Sequence, residues 1–510
     1  MTKNYHELAL TPLVKILGKN PEDFQRKDLM KVIEEHNIRQ INLHYVGIDG
    51  KLKELKVPVN SYGYAELILA QGERIDGSNI FKGIIDTSNS DLYIVPCYKT
   101  AFISPFEENT MGVLCRFMDK NGKPAMCAPQ NILIEAHRRF KEQTGLTLNV
   151  LGELEFYIIY DQKDHLFTGM SQRGYHQSSP FVKSRQMLNE MMDIISTMTA
   201  SIKYGHSEVG YINELNSTDP EVAGRRCEQY EIEFLPRPIE DMSNYLPLAK
   251  WVIRNVAHKW GCTATFTPKL EEGMAGNGLH FHLELLKNGK NTMVGKDGKL
   301  SDDSKKLIAG LCKYAPSITA FGNSVSSAYL RLVAHQEAPT KVCWSEQNRA
   351  ALIRIPLGWT LDTDMAKIVN PNQKDIYETN SGTRQTVELR SPDGSAHIHL
   401  LLAAITIAAL DGLTKEDSLS RAEKLHLSGN SSMHDFESLP SSCFESAEAL
   451  QRDRHLYVKD GLVPDTLIDF VVEKLKLEND KNINERFSHL TAEMRLKATR
   501  EIMHKDLHKQ

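Results

Sequence analysis

Two carboxylates stand at i and i+2 in the run Leu151-Gly152-Glu153-Leu154-Glu155-Phe156-Tyr157, which otherwise reads as an apolar strand. Side chains alternate across a strand, so Glu153 and Glu155 share one face while Leu154 and Phe156 take the other. Neighbouring carboxylates withdrawn from water need a counter-charge, and a bound cation supplies one directly. The alternative is a solvent-facing strand edge with two acids of no consequence. The same alternation recurs in Gln229-Tyr230-Glu231-Ile232-Glu233-Phe234, in Gly278-Leu279-His280-Phe281-His282-Leu283 and in Val387-Glu388-Leu389-Arg390. Such strands, gathered in one domain, predict a curved sheet with a charged concave face and an apolar face packed on helices. Oxygen donors joined by the imidazole of His280 suit hard cations such as Mg2+ or Mn2+.

A second set of groups is cationic. Arg331, then Glu337-Ala338-Pro339, then Arg349 and Arg354 place arginines and a glutamate around a proline-ended loop. A guanidinium fork holds carboxylates and phosphates bidentately, so this set fits an acidic substrate and a transferred phosphoryl group. A surface ion-pair network is the other reading. Metals together with arginines point to phosphoryl transfer, where positioning and charge neutralisation supply most of the catalysis.

The rest of the chain must position these groups. Its 510 residues allow more than one domain, and 41% hydrophobic with 25% charged residues is the balance of an ordinary globular protein. A net charge of -5 without any long basic block argues against nucleic acid as a partner. The apolar run 398–413 is too short to span a bilayer comfortably and reads as a buried helix, so no membrane is expected. Residues 1–10 carry His and Glu where a secretory segment needs continuous apolar residues, and the 8 cysteines form no CxxC pair. A reducing, cytoplasmic setting is the expectation.

Helical spacing over 27–36 is followed by alternation at Ile41, Leu43 and Tyr45, the turn Asp49-Gly50 and a second extended segment over 52–59, which together make a hairpin. Residues 62–71 return to helix, 73–79 read as a polar glycine-centred loop, and 91–97 and 111–118 as strands. An N-terminal extension (1–24), a small α+β unit (25–121) and a large second domain (122–510) follow, with the boundary at the turn Asn121-Gly122-Lys123-Pro124. Helices are predicted over 129–144, 184–199 and 243–260. No internal repeat is present, which removes solenoid readings.

In this order the segments resemble the glutamine synthetase family, closest to its type I branch. The matching residues are Asp76-Gly77-Ser78, Glu153 with Glu155, Gln229 with Glu231, Gly278 with His280 and His282, Arg331, Glu337-Ala338-Pro339, Asn348-Arg349, and Glu388, Arg390 and Asp393. The resemblance runs from the N-terminal hairpin to Asp453-Arg454. It implies a β-grasp N-terminal domain, a catalytic half-barrel of antiparallel strands backed by helices, and active sites shared between subunits of stacked rings, as in a dodecamer. It implies two or more divalent ions per site. Glu155, Glu208 and Glu231 would hold the first, and Glu153, His280 and Glu388 the second.

The same resemblance implies ATP, L-glutamate and ammonium as substrates. Arg331, Arg390 and Gly276 would bind glutamate and its activated carboxylate, and Arg349 would stabilise the moving phosphoryl group. His282 and Arg354 would contact ATP. Asp76, donated by a neighbouring subunit, would attract ammonium and take its proton, with Tyr175 in the same cation pocket. Glu337 would close over the site and keep water from the acyl phosphate. Several positions depart from the family pattern. A polar insertion at 211–227 separates two carboxylates, which leaves Glu221 as a competitor to Glu208. Asn79, Ala275, Glu284 and Thr386 replace more usual residues, with Arg384 a substitute for the arginine lost at 386. His397 and His399 read as helix-start histidines. Glutamine formation is the leading expectation. A γ-glutamyl-amine ligase taking a bulkier amine such as a polyamine, and a non-catalytic scaffold, are the alternatives.

Overall fold

The computed structural model describes residues 11–161, 167, 169–333, 336, 338–358, 364–375, 384–428, 432–505 and 507–509. The N-terminal sheet comprises β1 (Gln40–Val46), β2 (Leu52–Pro58), β3 (Glu73–Asp76), β4 (Asp91–Pro96), β5 (Phe102–Ile103) and β6 (Thr110–Met118). Its order is β2-β1-β6-β4-β3, with β5 beside β6 and a parallel pairing of β1 with β6 that marks the β-grasp. The hairpin turns at Gly50, whose φ of 76° suits glycine, and β1 packs Ile41, Leu43 and Tyr45 inward as alternation requires. The helices Arg26–Glu35 and Tyr62–Gln71 lie against each other on this unit. Ser61 caps the second by accepting from the Tyr64 amide. The predicted loop at 73–79 is instead a strand and one helical turn, because Arg74 and Asp76 pair with Tyr93 and Asp91 across the sheet edge.

The second sheet holds β7 (Thr147–Tyr160), β8 (Ile202–Ile212), β9 (Arg226–Phe234), β10 (Arg237–Pro238), β11 (Thr263–Thr265), β12 (Leu279–Lys287), β13 (Lys290–Asn291), β14 (Trp344–Glu346), β15 (Ile353–Ile355) and β16 (Val387–Leu389). Its path is β14-β15-β16-β12-β7-β9-β8, a curled half-barrel that is antiparallel except where β14 meets β15. Leu148, Val150, Leu154, Phe156 and Ile158 of β7 are buried towards the helices. Gly152 belongs to the same row, and a Cβ there would meet Leu246 at 3.1 Å, so the missing side chain lets the helix Ile239–Lys259 lie close. That helix begins four residues before its predicted start because Pro238 sets the entry angle and the acids Glu240 and Asp241 suit its first turn.

The run at 398 is the buried helix Ile398–Thr414, capped by His397 and packed against Asp302–Gly322 and Pro129–Thr144. No single helix among the described residues is long and apolar enough to cross a membrane. The insertion after β8 is not wholly polar in effect. Its Leu215 and Val222 pack with Tyr157, Ile159, Cys227 and Leu270 around Leu507 near the C-terminus. The helix Ala492–His504 is held to the same domain by Arg500 on Glu271 at 2.8 Å and by Met503 in the core.

The crossing of Asp302–Gly322 with Ile398–Thr414 depends on two glycines. A Cβ on Gly310 would stand 2.2 Å from the Ala408 carbonyl oxygen, and one on Gly412 would stand 2.3 Å from that of Lys306. Backbone cannot yield as a side-chain tip can. Gly310→Ala is therefore expected to lower stability by about 1–3 kcal/mol. Gly63→Ala, where nothing lies within 4 Å, should be neutral or stabilise by up to about 1 kcal/mol. Thermal unfolding midpoints of the two variants check this, and equal midpoints would refute the close crossing.

Candidate active site

The register of the half-barrel decides which charged groups meet. Across β7 and β9, Glu153 lies opposite Glu233 and Glu155 opposite Glu231. His280 on β12 is paired with Glu153, His282 with Glu388 on β16, and Arg354 on β15 with Glu388. Like charges directly opposite on neighbouring strands are destabilising, so the register costs energy that other groups must offset. All these side chains line one cavity of about 1080 Å3.

Two groups of potential ligands emerge. Glu153, His282 and Glu388 bring one donor atom each to within 4.8 Å of one another, and so do His206, Glu208 and Glu231. In the first group His282 Nε2 meets Glu153 at 2.8 Å, and His280 Nδ1 lies 3.0 Å from the other Glu153 oxygen. His280 also stands 3.9 Å from both Glu155 and Glu388, so it joins the group from one side. Thr386 Oγ1 holds His282 Nδ1 at 2.9 Å, which fixes the ring. In the second group His206 Nε2 lies 3.1 Å from Glu231. The pairing of β8 with β9 shifts register between Ser207 and Tyr211, and Glu208 sits in that irregularity facing the cavity.

Electrostatics separates the carboxylates. Burial disfavours charge on Glu153, but the imidazoles of His282 and His280 outweigh it and hold the carboxyl well below its usual range. Burial pushes Glu231 well up, and the charges of Glu153, Glu155, Glu208 and Glu233 push it further. Glu155 is likewise raised by burial, although the Gly278 amide donates to it at 2.7 Å. Glu233 takes Lys203 at 2.6 Å through one oxygen, while its buried Oε2 has no hydrogen-bond partner among the described residues. An excess of oxygen donors, one of them orphaned, with imidazoles at the margin, is the donor set of a hard divalent cation.

The cationic wall stands beside this floor. Arg390 binds Glu388, and Arg354 Nη1 donates to the same carboxylate at 2.7 Å. Arg331 is buried and donates to the Ser391 carbonyl at 2.9 Å and to His280 Nε2 at 3.2 Å. Gly276 and Gly278 permit this approach, since a Cβ on Gly278 would lie 2.5 Å from His280 and 2.8 Å from Arg331, and one on Gly276 3.0 Å from Arg331. Arg349 lines the cavity from an exposed position, and its carbonyl accepts from Arg390 Nε at 3.0 Å. Arg384 and Glu284 line it too.

The structure brings together Glu153, Glu155, Glu208, Glu231, His280, His282, Glu388, Arg331, Arg349, Arg354, Arg390, Gly276 and Tyr175 at this cavity. Tyr175 is 48% exposed and stacks on His176 with ring centroids 4.2 Å apart. Glu221, the competitor to Glu208, is exposed in the insertion and is not part of the wall. Asp76 is not part of it either. It caps the turn after β3, accepting from the Ser78 amide at 2.9 Å and from Asn79 at 2.5 Å. Glu337 lies outside the described residues. His282, expected as an ATP contact, stands beside Glu153 and Glu388 in the same cavity. His206, Glu233 and Lys203 were not singled out, although the alternation His206/Glu208 and Glu231/Glu233 carries the signal for two of them.

Known proteins match along nearly the whole chain. The glutamine synthetase catalytic domain profile matches residues 126–494 and the glutamine synthetase beta-Grasp domain profile residues 37–120. The glutamine synthetase of Methylococcus capsulatus is 28% identical over 469 residues, covering 87% of this chain and 93% of its own. That of Thermococcus kodakarensis is 29% identical over 451 residues, covering 86% and 89%. Among solved structures, Plasmodium falciparum glutamine synthetase superposes with a TM-score of 0.70 at 21% identity, covering 92% of this chain and 98% of that one. Ligand-free GmaS superposes with a TM-score of 0.69 at 20% identity, covering 91% and 98%. At those identities the structures speak for the fold, whereas the two profiles, which leave little of the chain unmatched, place it in the glutamine synthetase family of ATP-dependent ligases.

Proposed function

We propose that this chain joins ammonia to the γ-carboxylate of L-glutamate at the expense of ATP, through γ-glutamyl phosphate. The observation that carries this reading is a single cavity whose floor offers two carboxylate-imidazole groups and whose wall offers Arg331, Arg349, Arg354 and Arg390. Divalent ions held by Glu155, Glu208, Glu231 and His206, and by Glu153, His280, His282 and Glu388, would neutralise the charge of the phosphates during transfer. Arg331 and Arg390 then hold the carboxylates of glutamate, and their bonds to Ser391, Arg349 and Glu388 keep the guanidinium planes fixed. Arg349, exposed at the rim, is free of burial cost and suits the transferred phosphoryl group. His282 joins the ligand set, and Arg354 remains the nucleotide contact.

Ammonium must lose a proton before it can attack. Asp76 is exposed and held by Ser78 and Asn79, with its carboxyl below the usual range because of those bonds. Its place on the N-terminal sheet, outside the cavity of its own chain, supports its being supplied by a neighbouring subunit. Glu337 keeps the shielding role in this reading. The rims of Tyr175, His176, Tyr204 and His206 favour a second reading. Their rings cluster beside the second ligand group, with His176 and His206 centroids 4.2 Å apart, and aromatic faces bind alkylammonium ions.

Glu153→Ala and Glu388→Ala are each expected to lower ATP-dependent γ-glutamyl transfer by about 100-fold or more, with the far-UV circular dichroism unchanged. Unaltered turnover in both would remove the ligand assignment. Product analysis with glutamate, ATP and either ammonia or a panel of alkylamines and polyamines decides the acceptor. Glutamine as the preferred product is expected, and preferential turnover of an amine would transfer the assignment to the aromatic cluster.

A further inference from the structure

A second cavity, of about 470 Å3, lies between the β1–β2 hairpin and the helix Ile239–Lys259 and shares no lining residue with the carboxylate floor. Lys51 of the hairpin lines it, together with Lys250, Trp251, Arg254 and His258 of the helix and His508, and no carboxylate among the described residues does. Lys250 and Arg254 are one helical turn apart, a spacing at which like charges repel. Both lie over the Phe266 ring, at 5.1 Å and 4.9 Å. Lys250 is buried and donates to the Gly394 carbonyl at 2.6 Å. Arg254 makes no ion pair among the described residues, and its Nη2 is buried without any hydrogen-bond partner.

A guanidinium nitrogen buried without a partner is costly, and two further cations beside it add to the cost. Burial pulls Arg254 down to about 10, and burial with the Arg254 charge pulls Lys250 down to about 7. Two acids are close enough to act on these lysines, and both are already engaged. Asp49 pairs with Lys53 at 2.8 Å, and Asp393 accepts from Asn323 at 2.7 Å and from Ser395 at 2.6 Å. Lys51 also donates to the His508 carbonyl at 3.0 Å, and among the described residues no carboxylate lines the cavity to balance these cations.

We propose that this cavity binds a small phosphate dianion, either free phosphate or a phosphate monoester, between Lys51, Lys250 and Arg254. Lys51 and Arg254, with Lys250 taking up a proton beside the bound charge, match a dianion better than a single carboxylate. The volume leaves room for a small organic group beside the Trp251 ring. A bound dianion ties the N-terminal hairpin to a helix whose Leu246 lies over Gly152, the neighbour of Glu153.

Calorimetric titration of the metal-free full chain with inorganic phosphate and with glycerol 3-phosphate, at matched chloride, tests this. Without divalent ions the carboxylate floor repels dianions, so one site per chain is expected. Arg254→Gln should weaken binding about tenfold or more, as for a lost charged hydrogen bond. Lys51→Met, at an exposed position, should weaken it several-fold with the circular dichroism unchanged. A preference for one titrant identifies the source of the phosphate. Absence of binding by either, or binding that survives Lys51→Met and Arg254→Gln but is lost in Arg354→Gln, overturns the proposal.

Discussion

Four glutamates on two adjacent strands face one another in pairs, Glu153 against Glu233 and Glu155 against Glu231, inside a cavity that withdraws them from water. The half-barrel is arranged around relieving that repulsion. His280 and His282 arrive from the next strand in register with Glu153 and Glu388, and Lys203 reaches Glu233 from the other side. Arg354 and Arg390 share Glu388. These partners relieve Glu153 and Glu388, which stay ionised below their usual range, but not Glu231, which is pushed up. A divalent cation is the group that would complete the balance at Glu231 and Glu208.

The apolar side of the same strands supplies the rigidity this requires. Leu154 and Phe156 anchor β7 from behind, and Gly152 admits Leu246 so that the helix Ile239–Lys259 braces the strand at the residue before Glu153. On the cavity side Gly276 and Gly278 leave space for the Arg331 side chain to pass beside His280. Substitution of these glycines would displace a guanidinium and an imidazole together. The close packing of both faces is what lets a row of like charges persist at all.

Much of this was legible in the residues. Period-two alternation placed Glu153, Glu155, Glu231, His280 and Glu388 on one face, because a strand buried on both sides still has only two faces. The hairpin at Asp49-Gly50 and the buried helix at 398 followed from turn chemistry and apolar length. The glycine-centred segment at 73–79 was misread, since Arg74 and Asp76 are polar edge-strand residues whose pairing with β4 leaves no local signal. Cross-strand register was not legible either. It brings His282 to Glu153 and Glu388, and His206 to Glu231, by pairing segments far apart in sequence. The choice between Glu208 and Glu221 depended on the same thing, because the register irregularity of β8 carries Glu208 to the cavity while Glu221 lies outside its lining. The buried Nη2 of Arg254, without a hydrogen-bond partner among the described residues, depends on which groups fold towards it, which no spacing reveals.

The account rests on the two ligand groups each holding a divalent ion, and counting bound Mn2+ by electron paramagnetic resonance tests that without recourse to turnover. Wild-type chain is expected to bind two ions, Glu208→Ala and Glu153→Ala to lose one each, and the double variant to lose both while keeping its circular dichroism. Unchanged stoichiometry in the single variants, or a wild-type chain that takes up no Mn2+, would contradict the account at its base.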